Sequence, residues 1–398
     1  MQKSRLLILM IFSTLLLTMT GSAYACGGLF CQNVPVAQQA ERIIFTMNAD
    51  DTITAYVQIN YTGDAPDFSW VVPVPTVPDI DVAEIDLFDE LDRLTQPIIM
   101  APPIPDCVFR NQNLMFESDM VMSAPMSDMA GSVQVLASGT AGPYAYDVVD
   151  SPDPQALVIW LRENNYQVTE EMIPLIEVYN AEGMPFLAMK LQPDAGVQEI
   201  QPITMTYQSD LPMIPIRLTA VAATPNMNIL TWIFADEQAI PQNYEHITIR
   251  DNQIRGERFN ATGNNYMQLL DDAIDEENGL AMTTEYAQPT SELATFQITD
   301  PTLQMLTQDY AYVTRFLGRM SPEEMTLDPV FEFDGSRADV SNIRDLSNRN
   351  SAVFWDCDAI YQPSTQALLT SGILGLFAAT FFAGYWLSRR NRGKQKNS

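Results

Sequence analysis

The sequence predicts an α+β fold built mainly on antiparallel β-sheet, held at a membrane by one C-terminal transmembrane helix. Three observations predict it. Strand-like runs with period-two patterning outnumber helical runs and follow one another in succession. The helical runs are short, amphipathic and marked by capping residues. Finally, Ala359 to Ser388 contains no charged residue, and its apolar part is long enough, at about 1.5 Å per residue, to cross a hydrocarbon core of ~30 Å.

Residues 1–25 read as a secretory signal peptide. Lys3 and Arg5 form the positive n-region, Leu6 to Met19 the apolar core, and Ala23-Tyr24-Ala25 the small-x-small site, with cleavage before Cys26. A lipoprotein leader would want a Leu-like residue at Ala23 and a small one at Tyr24, and both depart from that.

Residues 26–110 form an N-terminal β-rich subdomain. Arg42–Asn48 and Thr52–Asn60 are strands joined at Asp50-Asp51 as a hairpin, and Ile53, Ala55, Val57 and Ile59 share one face of the second. Phe68–Val74 is a third strand, confined to a sheet edge by Pro73, Pro75 and Pro78. Asp81 is placed as the N-cap of a helix carrying Leu87, Leu91 and Leu94. Residues 111–132, rich in Met, Ser and Asn and without periodicity, form a mobile excursion. Its methionines (Met115, Met120, Met122, Met126, Met129) have the softness of Cu(I) ligands, but no Cys or His stands near them.

Residues 133–358 form an α+β subdomain. Asp153-Pro154 opens a helix with Leu157, Trp160 and Leu161. A short helix spans Pro174–Asn180 and stops at Gly183. Strands are expected at Phe186–Leu191, Ile203–Tyr207, Ile214–Ala222, Ile229–Phe234 and Glu245–Arg250. Tyr266, Leu269, Leu270, Ala273 and Ile274 make one helical stripe closed by Gly279. Leu303, Leu306, Tyr310, Val313 and Leu317 make another, opened by Asp300-Pro301 and closed by Gly318.

A linker, 359–366, leads to the span, 367–387, and a basic tail, 388–398. Trp386 sits at the expected interfacial belt, and Arg389 and Arg390 begin a positive cluster that stays in the cytoplasm. Ala367, Ser371, Gly375, Ala379 and Ala383 recur every fourth residue, a small-residue stripe on which a homodimer could close.

All 50 acidic residues lie between Cys26 and Asp358, against 14 of the 21 basic ones, so the exported part carries about −36. That field repels nucleic acid. The even set Cys26, Cys31, Cys107 and Cys357 suits an oxidising compartment. Three connectivities are open, and the flexible Gly27-Gly28 pair favours Cys26–Cys31 with Cys107–Cys357. An N-terminal nucleophile at Cys26 would need a free thiol, which a nearby Cys31 opposes.

Cys26-Gly27-Gly28-Leu29-Phe30-Cys31, Ala40-Glu41-Arg42-Ile43-Ile44-Phe45, and Phe68-Ser69-Trp70-Val71-Val72-Pro73-Val74-Pro75 together resemble a bacterial family known as domain of unknown function 2330. Trp160 to Tyr166, Phe186 to Leu191 and Ile214 to Ala220 extend the resemblance to about Phe333. It implies export and often a terminal membrane helix, and brings no activity.

A single histidine, His246, excludes zincin and multi-His metal sites. No nucleophile elbow, phosphate loop or dinucleotide fingerprint is present. Asp79, Asp81, Glu84 and Asp86 are hard ligands for Ca²⁺, but their spacing is not an EF-hand loop. No cofactor is expected. Asp271-Asp272 and Asp275-Glu276-Glu277 read as a solvated helix face. The expected role is a non-catalytic surface module that binds a protein or glycan or assists envelope assembly. The rival is an extracytoplasmic hydrolase using paired Asp/Glu carboxylates.

Overall fold

The computed structural model describes residues 37–62, 69–105, 133–166, 168–192, 195, 199–257 and 263–355. They form an α+β structure with mostly antiparallel sheet and, among the described residues, seven α-helices. The signal segment, the four cysteines, the Met-rich excursion, the predicted span with Ala367 to Ala383, and Trp386, Arg389 and Arg390 lie outside the described residues. Among those described, no helix is long and apolar enough to cross a membrane.

In chain order the strands are β1 Ala37–Met47, β2 Thr52–Thr62, β3 Ser69–Pro73, β4 Asp79–Val82, β5 Ile98–Met100, β6 Gln134–Ala141, β7 Tyr144–Asp150, β8 Phe186–Leu191, β9 Ile203–Gln208, β10 Ala223–Ala235, β11 Ala239–Pro241, β12 Glu245–Ile247, β13 Ala281–Pro289, β14 Tyr312–Met320, β15 Phe331–Phe333 and β16 Ile343–Asp345. The helices are α1 Asp86–Thr95, α2 Pro154–Glu163, α3 Ile173–Ala181, α4 Tyr266–Glu276, α5 Thr290–Leu293, α6 Pro301–Asp309 and α7 Ser351–Phe354.

The described residues divide into two compact units. The larger contains those of 37–99, 133–250 and 267–344; the smaller contains those of 100–105, 251–266 and 345–355. In the smaller unit the Gly256 amide donates to Phe354 O at 2.7 Å and the Trp355 indole to Pro102 O at 3.1 Å.

An eight-stranded sheet, ordered β12-β13-β14-β10-β1-β2-β9-β4, runs through the larger unit. Only its β1–β10 and β12–β13 pairs are parallel. A four-stranded antiparallel sheet, β3-β8-β7-β6, faces it. Side chains alternate across each strand, so β1 sends Arg42, Ile44 and Thr46 one way and Glu41, Ile43 and Phe45 the other. The Arg42 side is covered by helices. Phe88 of α1 meets the Trp232 ring edge-on at 6.4 Å, Asp271 of α4 pairs with Arg319, and Tyr310 at the end of α6 meets Phe234 at 6.2 Å. The Ile43 side packs on the second sheet, where Ile43, Phe45, Val57, Trp70, Val72, Leu187 and Met189 join one core. The outer face of that sheet, through Val71, Val149, Phe186 and Ala188, is buried against α2 and α3 by Leu157, Leu161, Ile176 and Tyr179. The unit is thus layered helix–sheet–sheet–helix, and each large apolar side chain fully buried in it contributes on the order of 1.5–3 kcal/mol.

Several expectations hold. The β1–β2 hairpin turns at Asp50-Asp51, with Asp51 at φ 61° and the Asn48 amide donating to Thr52 O at 2.9 Å. β3 lies at a sheet edge, where Pro73 at its end is tolerated. Asp153 and Asp300 cap α2 and α6, accepting from the Gln155 and Leu303 amides at 3.0 and 2.7 Å.

Others are corrected. Asp81 is not an N-cap; it sits on β4, and α1 begins at Asp86. Ile214–Ala222 is not a strand. Ile214, Ile216 and Leu218 alternate and are buried, but Pro212 and Pro215 lack the amides a ladder needs, and a 3-10 turn at Thr219–Val221 follows. The helix opened at Asp300 ends at Asp309, and Tyr312–Met320 is the interior strand β14. Val313 and Leu317, four apart, share a face in a strand as well as in a helix, so their spacing did not discriminate. Asp271 is not solvated like Asp272, Asp275, Glu276 and Glu277, because it pairs with Arg319.

Candidate functional site

At the β3 end of the sandwich a pocket opens between the two sheets. Glu41, Ile43 and Phe45 of β1, Ala55 and Val57 of β2, and Met205 and Tyr207 of β9 form one wall. Trp70, Val72, Pro73, Val74 and Pro75, with Met213 and Pro215, form the other. Pro75, Met213 and Pro215 are only half-buried and mark the mouth. The free space is about 30 Å³, room for one or two water molecules.

Glu41 is the only carboxylate in β1, β2, β9 and β10. It is 6% exposed, and its Oε2 has no hydrogen-bond partner among the described residues. Burial among apolar groups disfavours the charged form and pushes its carboxyl up to about 7. Tyr207, the other titratable lining group, is also pushed up by burial and stays neutral. Backbone alternation explains the placement: Arg42 is consumed on the opposite face, where it donates to Gln58 Oε1 at 3.1 Å and pairs with Asp89 at 2.7 Å and Asp92 at 3.3 Å.

Other carboxylate clusters are engaged by arginine. Under α1, Arg315 (5% exposed) donates from Nε to Glu285 at 2.8 Å and from Nη1 to Asp92 at 2.5 Å and Thr95 Oγ1 at 3.1 Å. Thr95 also accepts from the Trp232 indole at 2.9 Å. In a second cluster Arg217 grips Asp328 at 2.6 and 2.9 Å and Glu182 at 2.6 and 2.9 Å. Its guanidinium lies 4.2 Å from the centre of the Tyr179 ring, whose hydroxyl donates to Asp328 at 2.7 Å. These are saturated structural networks, whereas Glu41 has no counter-charge among the described residues that line its pocket.

His246 lies on the edge strand β12 with Nε2 2.7 Å from Thr284 Oγ1; burial and the neighbouring Arg337 charge push its imidazole down. Asp79, Asp81, Glu84 and Asp86 are spread over β4, the following turn and α1. Among the described residues no group of three or more His, Cys, Asp or Glu is placed to hold a metal ion. In the sequence Glu41 stands inside the Ala40 to Phe45 run with no chemical motif around it. The available signal was its period-two register with Ile43 and Phe45, which puts a carboxylate on an inward face.

The model of a family described as an uncharacterized protein conserved in bacteria, DUF2330, matches residues 20–332. Three stretches that line the pocket, around Glu41, from Trp70 to Pro75, and at Pro215, fall within that match. No curated protein matches. A solved structure of a mutated baculovirus P35 after caspase cleavage is similar at 11% identity and a TM-score of 0.29, over 58% of this chain and 86% of that one. A score that low carries no argument.

Proposed function

The chain belongs to this bacterial family of unknown function, and on that premise we propose that it is a membrane-anchored, extracytoplasmic module that binds rather than cleaves. One observation carries the reading: a pocket on apolar and aromatic walls whose one carboxyl, among the described residues, is buried and unpaired. Hydrolysis by paired carboxylates needs two such groups facing one bond, and the pocket supplies one. Elsewhere, Asp328 and Glu182 are both held by Arg217, and Asp92 and Glu285 by Arg315, so each pair has an arginine between its members.

The terminal segments supply the topology in this proposal. The signal at 1–25 and the span at 367–387, followed by Arg389 and Arg390, hold the acidic domain outside with the C-terminus in the cytoplasm. The partner is a surface protein or glycan. The test is capture from solubilised membranes by wild type and by Glu41→Met. A partner retained by wild type and lost by the variant supports the reading. Equal retention by both, or hydrolysis of a glycoside or peptide that Glu41→Met abolishes, overturns it. Protease shaving of intact cells tests the topology: loss of the domain with survival of the basic tail is expected, and a protected domain contradicts it.

A further inference from the structure

We propose that the inter-sheet pocket recognises the primary ammonium head of an organic cation, with Glu41 as counter-ion and the walls of Phe45, Trp70 and Tyr207 around the adjoining methylenes. This deepens the binding reading above and rests on it.

Three independent observations select that chemistry. First, the buried Oε2 of Glu41 accepts from no described residue, so the pocket holds an acceptor that no described donor occupies. Second, the free space of about 30 Å³ matches a water-sized head group. A guanidinium is larger and planar and seeks a two-oxygen fork, and a metal ion seeks several oxygens where one carboxyl stands. A primary ammonium is a compact point charge with three donors on an apolar stem. Third, the lining around Glu41 is apolar up to Pro75, Met213 and Pro215 at the mouth, so a stem leaving there meets no competing charge. Aromatic faces attract a cation placed over them. The strongly negative chain, −29 overall, concentrates cations at its surface before they reach the mouth.

Binding is coupled to the proton on Glu41. Val57, Ala55, Trp70, Val72, Met205 and Tyr207 line the pocket with Glu41, and among these only the neutral Tyr207 titrates. Below pH 7 Glu41 holds its proton, which the incoming ammonium must displace to solvent. Above pH 7 the carboxylate is already formed. The cation itself stays charged throughout, since alkylammonium groups titrate near 10.4 like lysine.

The experiment is calorimetric titration of the purified full-length chain with n-butylammonium, n-butanol and the peptide acetyl-Gly-Lys-Gly-amide at pH 6 and pH 8. Saturable binding of butylammonium is expected, about tenfold tighter at pH 8 than at pH 6, the ratio of ionised fractions for a carboxyl titrating near 7. Proton release at pH 6, read from buffers of different ionisation enthalpy, should accompany it, and butanol should not bind. Glu41→Gln should lose at least tenfold in affinity together with the pH dependence. The wild-type pH and proton arms need no variant, so misfolding of Glu41→Gln leaves the test intact. A peptide that binds more tightly than butylammonium identifies the source as lysine of a partner protein; equal or weaker peptide binding identifies a free amine. No saturable butylammonium binding, binding without pH dependence, or equal binding of butanol overturns the proposal. Where butylammonium fails but partner capture still requires Glu41, the binding reading stands and the ammonium assignment alone falls.

Discussion

Replacing Glu41 with Met should make the protein more stable at pH 8 and remove a pH-dependent part of its stability. The folded carboxyl titrates at about 7 against an ordinary 4.5. At 1.36 kcal/mol per pH unit, this difference is worth about 3 kcal/mol. The sign follows from proton counts. Between 4.5 and 7 the folded state holds a proton that the unfolded chain has released, so stability contributed by Glu41 is present below 4.5 and lost as pH rises through 7. Methionine fills a similar volume and carries no charge. Other carboxylates, such as Asp50, Asp334 and Asp345, which hydrogen bonds to Thr52, Ser336 and Ser347 hold below their usual range, titrate alike in both proteins. The readout is therefore the difference between wild type and Glu41→Met in urea unfolding, measured from pH 4 to pH 8. The variant should gain about 3 kcal/mol at pH 8, on the order of 5–10 °C in Tm, with the difference shrinking toward acid. A difference that stays constant with pH, or a variant less stable than wild type at pH 8, would refute the reasoning.

Further outcomes follow from the same geometry. Arg315→Met strands Glu285, 3% exposed, and should cost about 3–5 kcal/mol in urea unfolding; the double variant Arg315→Met/Glu285→Leu should recover most of it. Asp300→Ala removes the cap of α6 and should cost about 1 kcal/mol or more, measured as a fall in Tm. Gly279→Ala should destabilise by more than 1 kcal/mol, because Gly279 has φ 79° and an added Cβ would collide with Glu324; Gly183→Ala, with φ 77° and open space, isolates the backbone part of that cost. Non-reducing peptide mapping should recover Cys26–Cys31 and Cys107–Cys357, and a free Cys26 thiol would contradict the structural role given to these cysteines.

Local signals were legible in the sequence wherever one residue type has one strong reason to be where it is. Asp153-Pro154 and Asp300-Pro301 announced helix starts because a carboxylate accepts from a free amide and proline has none to lose. The β1–β2 hairpin is legible from the alternation of Thr52 to Asn60 and the turn chemistry of Asp50-Asp51. The strand β13 is not legible because it is buried through most of its length and shows no alternation, and β14 is ambiguous because its apolar spacing fits a helix as well as a strand. Long-range placement was not legible. Nothing local states that β1 lies parallel to β10, nearly two hundred residues away, or that Trp70 to Pro75 closes over Glu41. The site therefore appeared in the sequence only as motifs without a reason, and the pairing of two sheets supplied the reason.

The most direct test of the account is the ionisation of Glu41 itself. Carbon-13 NMR of the side-chain carboxyl, assigned by its loss in Glu41→Gln, should titrate near 7 in the free protein and move to lower pH when n-butylammonium is added. A midpoint near the ordinary 4.5, unchanged by the amine, would show a solvated or already partnered carboxyl and contradict the pocket as described.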